Sequence, residues 1–214
     1  MRLILFTILL TQTLIASPEW LYTKTYTYQS NHDGAVIILK GHDWIYLDSV
    51  AYYSDFNDKA LFPESLKYND VSGWEAGKEV SIAYAVETGV VLLDTVTGKR
   101  CEVIDGLKEH PLDVLHQRYV GEGSTASVVV GTTKVIELWR EEIKRIYKRL
   151  RYEFPDHVDI LNRAEESWGA YYTAQLEVLR ITHDKEGSIY SLLYAEARLE
   201  LVSDYAKGLV KWGR

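Results

Sequence analysis

Residues 78–104 read KEVSIAYAV ETG VVLLDTV TGK RCEVI, and they decide the fold of the first half of the chain. Three runs rich in β-branched and aromatic residues, Lys78 to Val86, Val90 to Val96 and Arg100 to Ile104, are separated by Glu87-Thr88-Gly89 and Thr97-Gly98-Lys99. Short glycine-containing connections between such runs are hairpin chemistry, because glycine takes the positive φ that tight β-turns demand. The stretch predicts a three-stranded meander. Upstream, Tyr22, Tyr26 and Tyr28 alternate with threonines, Asn31-His32-Asp33-Gly34 makes a turn, and Lys40-Gly41-His42-Asp43 separates Ala35 to Leu39 from Trp44 to Leu47. Strands at this spacing that each bury one face predict a small antiparallel β barrel or sandwich of about six strands.

Between these groups, residues 52–74 read as an irregular loop. Asp55, Asp58, Glu64 and Asp70 lie there among Tyr53, Phe56, Phe62 and Tyr68. Acids backed by aromatics suit a grip on a basic protein, since aromatic anchors lose little conformational freedom on binding. The plainer expectation is that the rings cap the barrel and the acids are solvated.

Beyond Gly121-Glu122-Gly123-Ser124 the apolar period changes from two to a helical one. Ile136, Trp139, Ile143, Ile146 and Leu150 share a helical face. Thr125 and Thr132 compete as its start, because Val128-Val129-Val130-Gly131 is poor helix material. Pro155 ends this helix, Asp156 caps the next, and Leu161, Ala164, Trp168 and Tyr171 repeat the spacing. Ser188 caps a third, with Leu192, Ala195, Leu199, Val202, Ala206 and Leu209 on one side. The expected fold is α+β: an acidic β-domain over residues 17–118, then a three-helix domain over residues 119–214 entered by a linker through Gly121 and Gly123.

At the N-terminus, Arg2, the apolar run Leu3 to Leu10 and Ala16 follow a secretory signal pattern, so residues 1–16 are expected to direct export to the periplasm or the exterior and be removed. The run is diluted by Thr11, Gln12 and Thr13 and stopped by Ser17-Pro18-Glu19, too short for a stable membrane span of roughly 20 apolar residues. Cys101 is the single cysteine, so no internal disulfide forms and a buried thiol is expected. Residues 17–133 carry nine Lys/Arg against seventeen Asp/Glu, whereas residues 134–214 carry fourteen of each. The acidic excess disfavours nucleic acid, whose phosphates would be repelled, and suits a cationic partner or simple solubility.

The helical half resembles the lysozyme inhibitor LprI family, a group of exported bacterial proteins with short helical domains. The resemblance spans residues 123–210 and rests on Gly123-Ser124-Thr125, on Trp139 to Leu150 with Tyr147, on Leu161-Asn162-Arg163-Ala164-Glu165-Glu166-Ser167-Trp168, on Tyr171-Tyr172, and on Gly187-Ser188 with the last helix. The second helix of that family carries a glutamine-rich, alanine-tryptophan stretch and an aromatic-arginine pair; Glu165, Ser167-Trp168 and Tyr171-Tyr172 stand there. The family's cysteines have no counterpart after Cys101, and Tyr205 beside Asp204 replaces the arginine of the last helix. The resemblance implies export, a helical architecture and lysozyme inhibition.

Motifs for chemistry are sparse. His110 and His116 are six residues apart, not the three or four that put two ligands on one helix face, so no metal is assigned to them or to Asp113. His32, His42, His157 and His183 stand singly in turn-like contexts and read as surface residues. Glu141-Glu142 and Glu165-Glu166 are adjacent and diverge on a helix, so neither pair provides the facing carboxylates of a glycosidase. No nucleophile elbow or phosphate loop is present, and no catalytic residue, cofactor or metal is assigned.

Arg140, Lys144, Lys148 and Arg151 form a basic stripe, which fits an anionic polymer or lipid, a solvated face, or docking on the chain's own acidic half. Trp139 and Trp168 are expected in the core; Trp20, Trp44 and Trp74 either close the barrel or face a partner. The expected function is that of an exported non-catalytic binding protein, with the acid-aromatic loop and the basic stripe as its surfaces and a cationic hydrolase such as lysozyme as a candidate partner. Two alternatives are an envelope polysaccharide-acting enzyme using carboxylates of the 52–74 loop, and a structural subunit of an envelope assembly. A large exposed apolar patch would favour the last.

Overall fold

A computed structural model describes residues 18–32, 36–42, 44–47, 65–66, 68–121, 123–183 and 187–212. Among these residues six strands run in chain order: β1 (Tyr22–His32), β2 (Val36–Leu39), β3 (Trp44–Leu47), β4 (Glu79–Ala85), β5 (Gly89–Asp94) and β6 (Arg100–Asp105). All pair antiparallel and close a barrel in the order β1-β2-β3-β6-β5-β4. Two meanders are thus joined edge to edge, β3 to β6 and β4 back to β1. The long β1 serves both: its first half pairs with β4, its second with β2, and the register shifts between Tyr28 and Ser30. A bulge at that point lets one strand bend from one neighbour to the other.

The two meanders differ in burial. β2 and β3 alternate, with Ile37, Leu39, Ile45 and Leu47 buried and Trp44 and Tyr46 exposed. β4 and β5 are buried on both faces, as the nearly continuous apolar run Val90-Val91-Leu92-Leu93 implies for a covered sheet. The cover is helical. Register places Ala83, Ala85, Gly89, Val91 and Glu102 on one face of β4-β5-β6, and the Arg145 side chain lies directly on Gly89. The missing side chain of Gly89 leaves the room that Arg145 occupies. Gly89 serves twice, since it also takes φ +68° in the β4-β5 turn.

Among the described residues five α-helices accompany the barrel: α1 (Tyr68–Ser72), α2 (Pro111–Gly121), α3 (Thr125–Glu153), α4 (Val158–His183) and α5 (Ser188–Trp212). The α+β class therefore stands, with a closed barrel rather than a sandwich. Two expectations change. The 52–74 segment, read as irregular, contains α1, and the segment read as a linker through Gly121 is the last turn of α2. Pro111 opens α2, where its missing N–H costs nothing, and the His110 ring accepts from the Leu112 N–H at 3.2 Å.

α3 begins at Thr125, not Thr132. The Ser124 oxygen accepts from the Ser127 N–H at 3.4 Å, and buried Gly131, poor for helix propensity, leaves room for the Tyr119 ring of α2. One hydrophobic core runs from barrel residues such as Leu92 and Val103 through Leu112 of α2 and Trp139 of α3 to Val202 and Leu209 of α5. It crosses the expected boundary at residues 118 and 119 without a break. No helix among the described residues is long and apolar enough to cross a membrane.

Candidate functional site

Of the residues expected to bind a partner, Asp55, Phe56, Asp58, Phe62 and Glu64 lie outside the described residues, as does the leader 1–16. Tyr68 is in α1, and the Asp70 carboxylate takes the Lys99 ammonium. The basic stripe is largely answered within the helices. Arg140 pairs with Glu137 at 3.1 Å and Lys144 with Glu141 at 2.7 Å, both toward solvent, where such i,i+3 pairs contribute only tenths of a kcal/mol. Lys148 is exposed, whereas Arg151 turns to α4 and donates to Asn162 and Glu165.

Docking of a basic helix face on the acidic half does occur, through residues one step round α3. Arg145 and Arg149 reach across to Glu102 of β6, Arg145 also donates twice to Glu142, and Arg149 meets Glu153 at 3.3 Å. Glu102 and Glu142 are both buried. Burial alone would raise the Glu142 pKa, but the charge and hydrogen bonds of Arg145 outweigh it and hold the carboxyl below its ordinary value. The same carboxylates hold Arg145 fully charged. Acid catalysis on a sugar needs one carboxyl kept protonated, and this cluster does the opposite for Glu142. Its chemistry is that of a clamp between barrel and helix. A sequence signal for it existed in the same four-residue step from Arg145 to Arg149.

His110 and His116 go to different neighbours. His110 lies between the rings of Tyr84 and Trp139, and this burial lowers its pKa to about 4 against the pull of Glu142 and Asp113. His116 meets Thr132 at 3.1 Å and Glu196 at 3.3 Å, while Asp113 pairs with Lys207 of α5. Among the described residues no group of three or more His, Cys, Asp or Glu side chains could hold a metal ion. His42, read as a surface residue, is buried against Tyr26 and its Nε2 accepts from the Lys108 N–H at 3.4 Å. Cys101 is buried, as expected.

Some of the residues that carried the LprI resemblance, Tyr147, Trp168 and Tyr172, meet where α3, α4 and α5 come together, beside Tyr205, which departs from that family's pattern. The Tyr147 and Tyr205 hydroxyls are 2.6 Å apart, and the Tyr205 ring stacks on Trp168 at 3.7 Å with a 6° interplanar angle. Arg140 lies over the Tyr172 ring and Arg151 over that of Tyr147. This packing rotates α4 relative to expectation. Leu161 and Trp168 turn inward, but Tyr172 is the buried tyrosine, so Ala164 and Tyr171 face solvent. Two adjacent tyrosines made the period ambiguous by one residue.

The rotation leaves a second apolar stripe uncovered. Ile160, Tyr171, Val178 and Ile181 are 57, 51, 51 and 72 % exposed. With Ala164, Ser167 and Ala174, also exposed, they follow each other at steps of four and three along the whole of α4. Ile189 and Leu193 at the start of α5 are exposed as well. Apolar side chains in one continuous row, unlike single ones, mark a contact surface. No family model, curated protein or solved structure matches the chain.

Proposed function

We propose that the chain is a non-catalytic protein-binding component of the bacterial envelope, exported by its leader and engaging protein through the outer face of α4. The observation that carries this reading is the uncovered row from Ile160 to Ile181 on a helix whose other face is packed. The rigid clamp of Glu102 with Arg145 and Arg149 fits the same role, because it holds the barrel in fixed relation to the helices. A photoreactive residue at position 178 tests the surface. It is expected to cross-link protein in intact cells, whereas the same residue at Lys148 on α3 is not; equal cross-linking from both positions would remove the reading. The leader is tested separately: the secreted chain is expected to begin after Ala16, and recovery of the uncut chain from the cell interior would remove export.

A second reading is favoured by the net charge of −8 over residues 17–133 and by the LprI resemblance: inhibition of a cationic hydrolase such as lysozyme. Association is then steered by charge and weakens as salt rises. A titration against lysozyme at low ionic strength that shows neither binding nor lost activity would eliminate it.

A further inference from the structure

We propose that the partner of the α4 face is a second copy of this chain, lying antiparallel across it about a two-fold axis near Ala170 and Tyr171. The inference rests on the protein-binding reading of α4 and names its occupant. Three features of the helix point the same way.

The first is periodicity. Ile160, Ala164, Ser167, Tyr171, Ala174, Val178 and Ile181 repeat at four and three residues, the spacing that lets two helices meet along a continuous seam. The second is size. About the proposed axis Ile160 faces Ile181 of the other copy, Ala164 faces Val178, and Ser167 faces Ala174, so large side chains meet at the ends and small ones near the middle. Ser167, Ala170 and Ala174 leave room for the two Tyr171 rings, which the axis brings together. The third is charge. Arg163 and Glu177 stand two heptads apart along one edge of the row, both exposed. In the antiparallel arrangement the two-fold brings the same edge of both helices together and each Arg163 faces a Glu177, twice by symmetry; in a parallel pair that edge meets the opposite edge of the partner, which holds Leu161, Trp168 and Gln175, and both ion pairs are lost.

The row spans about 32 Å at 1.5 Å per residue, and a helix is about 10 Å wide. Such a contact is small beside the ~800 Å² per partner of a standard interface. A reversible dimer with a dissociation constant on the order of micromolar is therefore expected, not an obligate one.

Sedimentation of the secreted chain from about 1 to 100 µM should show monomer passing to dimer across that range. Arg163→Glu should weaken the dimer about tenfold, and Arg163→Glu with Glu177→Arg should restore it, a rescue that a merely structural role would not give. Orientation is read by oxidative cross-linking, with buried Cys101 out of reach. A mixture of Ser167→Cys and Ala174→Cys chains should join as heterodimers, and neither chain alone should join efficiently. Monomer at every concentration overturns the dimer, as does efficient joining of Ser167→Cys chains to one another. If the chain is monomeric while cross-linking from position 178 to a different protein persists, the dimer falls and the protein-binding reading stands. If position 178 cross-links nothing at all, both fall.

Discussion

α3 and α4 are of similar length, 29 and 26 residues, and both carry a clear apolar period, yet α3 buries eleven residues and α4 buries Tyr172 alone. The difference lies in what surrounds them. α3 lies between the small-residue face of β4-β5-β6 and α5, so it has neighbours on two sides: Trp139 and Ile146 enter the common core and Arg145 and Arg149 reach the barrel. Among the described residues α4 packs along one flank, against α5 and the end of α3, and the large apolar side chains of its second stripe are exposed. Periodicity shows which residues share a face; it does not show how many faces are covered.

The largest test of this contrast breaks the α3 side. Glu102→Ala leaves the two guanidinium groups without their shared carboxylate in a buried setting, and removing one partner of such a cluster costs about 3–5 kcal/mol. Glu166→Ala on exposed α4 should change stability by less than about 0.5 kcal/mol. Urea unfolding of the two variants measures both. A cost below about 1 kcal/mol for Glu102→Ala would mean that the clamp does not hold barrel and helices together.

The next effect is set by pH. The folded state keeps His110 neutral to about pH 4, against an ordinary value of 6.5. A group whose pKa is lowered by folding contributes its full share of stability above pH 6.5 and loses it as pH falls through 6.5 toward 4, because the unfolded chain takes up the proton first. The loss is at most about 3 kcal/mol. Asp94 and Glu142, held below their ordinary 3.8 and 4.5, add their own loss only further down, so the window from pH 6.5 to 4.5 belongs to His110. His110→Asn can still accept from the Leu112 N–H. It should flatten unfolding free energy over that window; an unchanged slope would refute the assignment.

The barrel was more legible in the sequence than the site. β-branched runs and glycine turns located all six strands, since alternation and turn chemistry are local properties, although Asn31 and His32, read as turn, extend β1. The apolar face of α3 was legible for the same reason, but its start was not: Thr125 and Thr132 competed in the sequence, and the cap is Ser124. Arg145 and Arg149 escaped notice because their partner, Glu102, lies more than forty residues away and only the folded barrel brings it near. The turn of α4 was hidden by Tyr171-Tyr172: either tyrosine satisfies the period, and the choice is made by Tyr205, whose ring holds Trp168 and so fixes which side of the helix faces in. His110 and His116, conspicuous as a pair in the sequence, are separated by the elements they pack against.

The inner and outer faces of α4 give the finest version of the comparison. Trp168→Ala removes the stack on Tyr205 and part of the contact with α5, and should cost about 2 kcal/mol. Ile181→Gln, thirteen residues on and more exposed than any other large apolar side chain of the helix, removes little contact from the folded chain. Its effect on unfolding should be within about 0.5 kcal/mol, because the side chain is wet before and after unfolding. What it should change is association, since a buried Ile in a two-helix seam would become a buried amide without a partner. A variant that unfolds like the parent and no longer self-associates would show that the row serves contact between molecules. One that loses several kcal/mol of stability as a monomer would show instead that α4 is covered by its own chain, and the contrast with α3 would disappear.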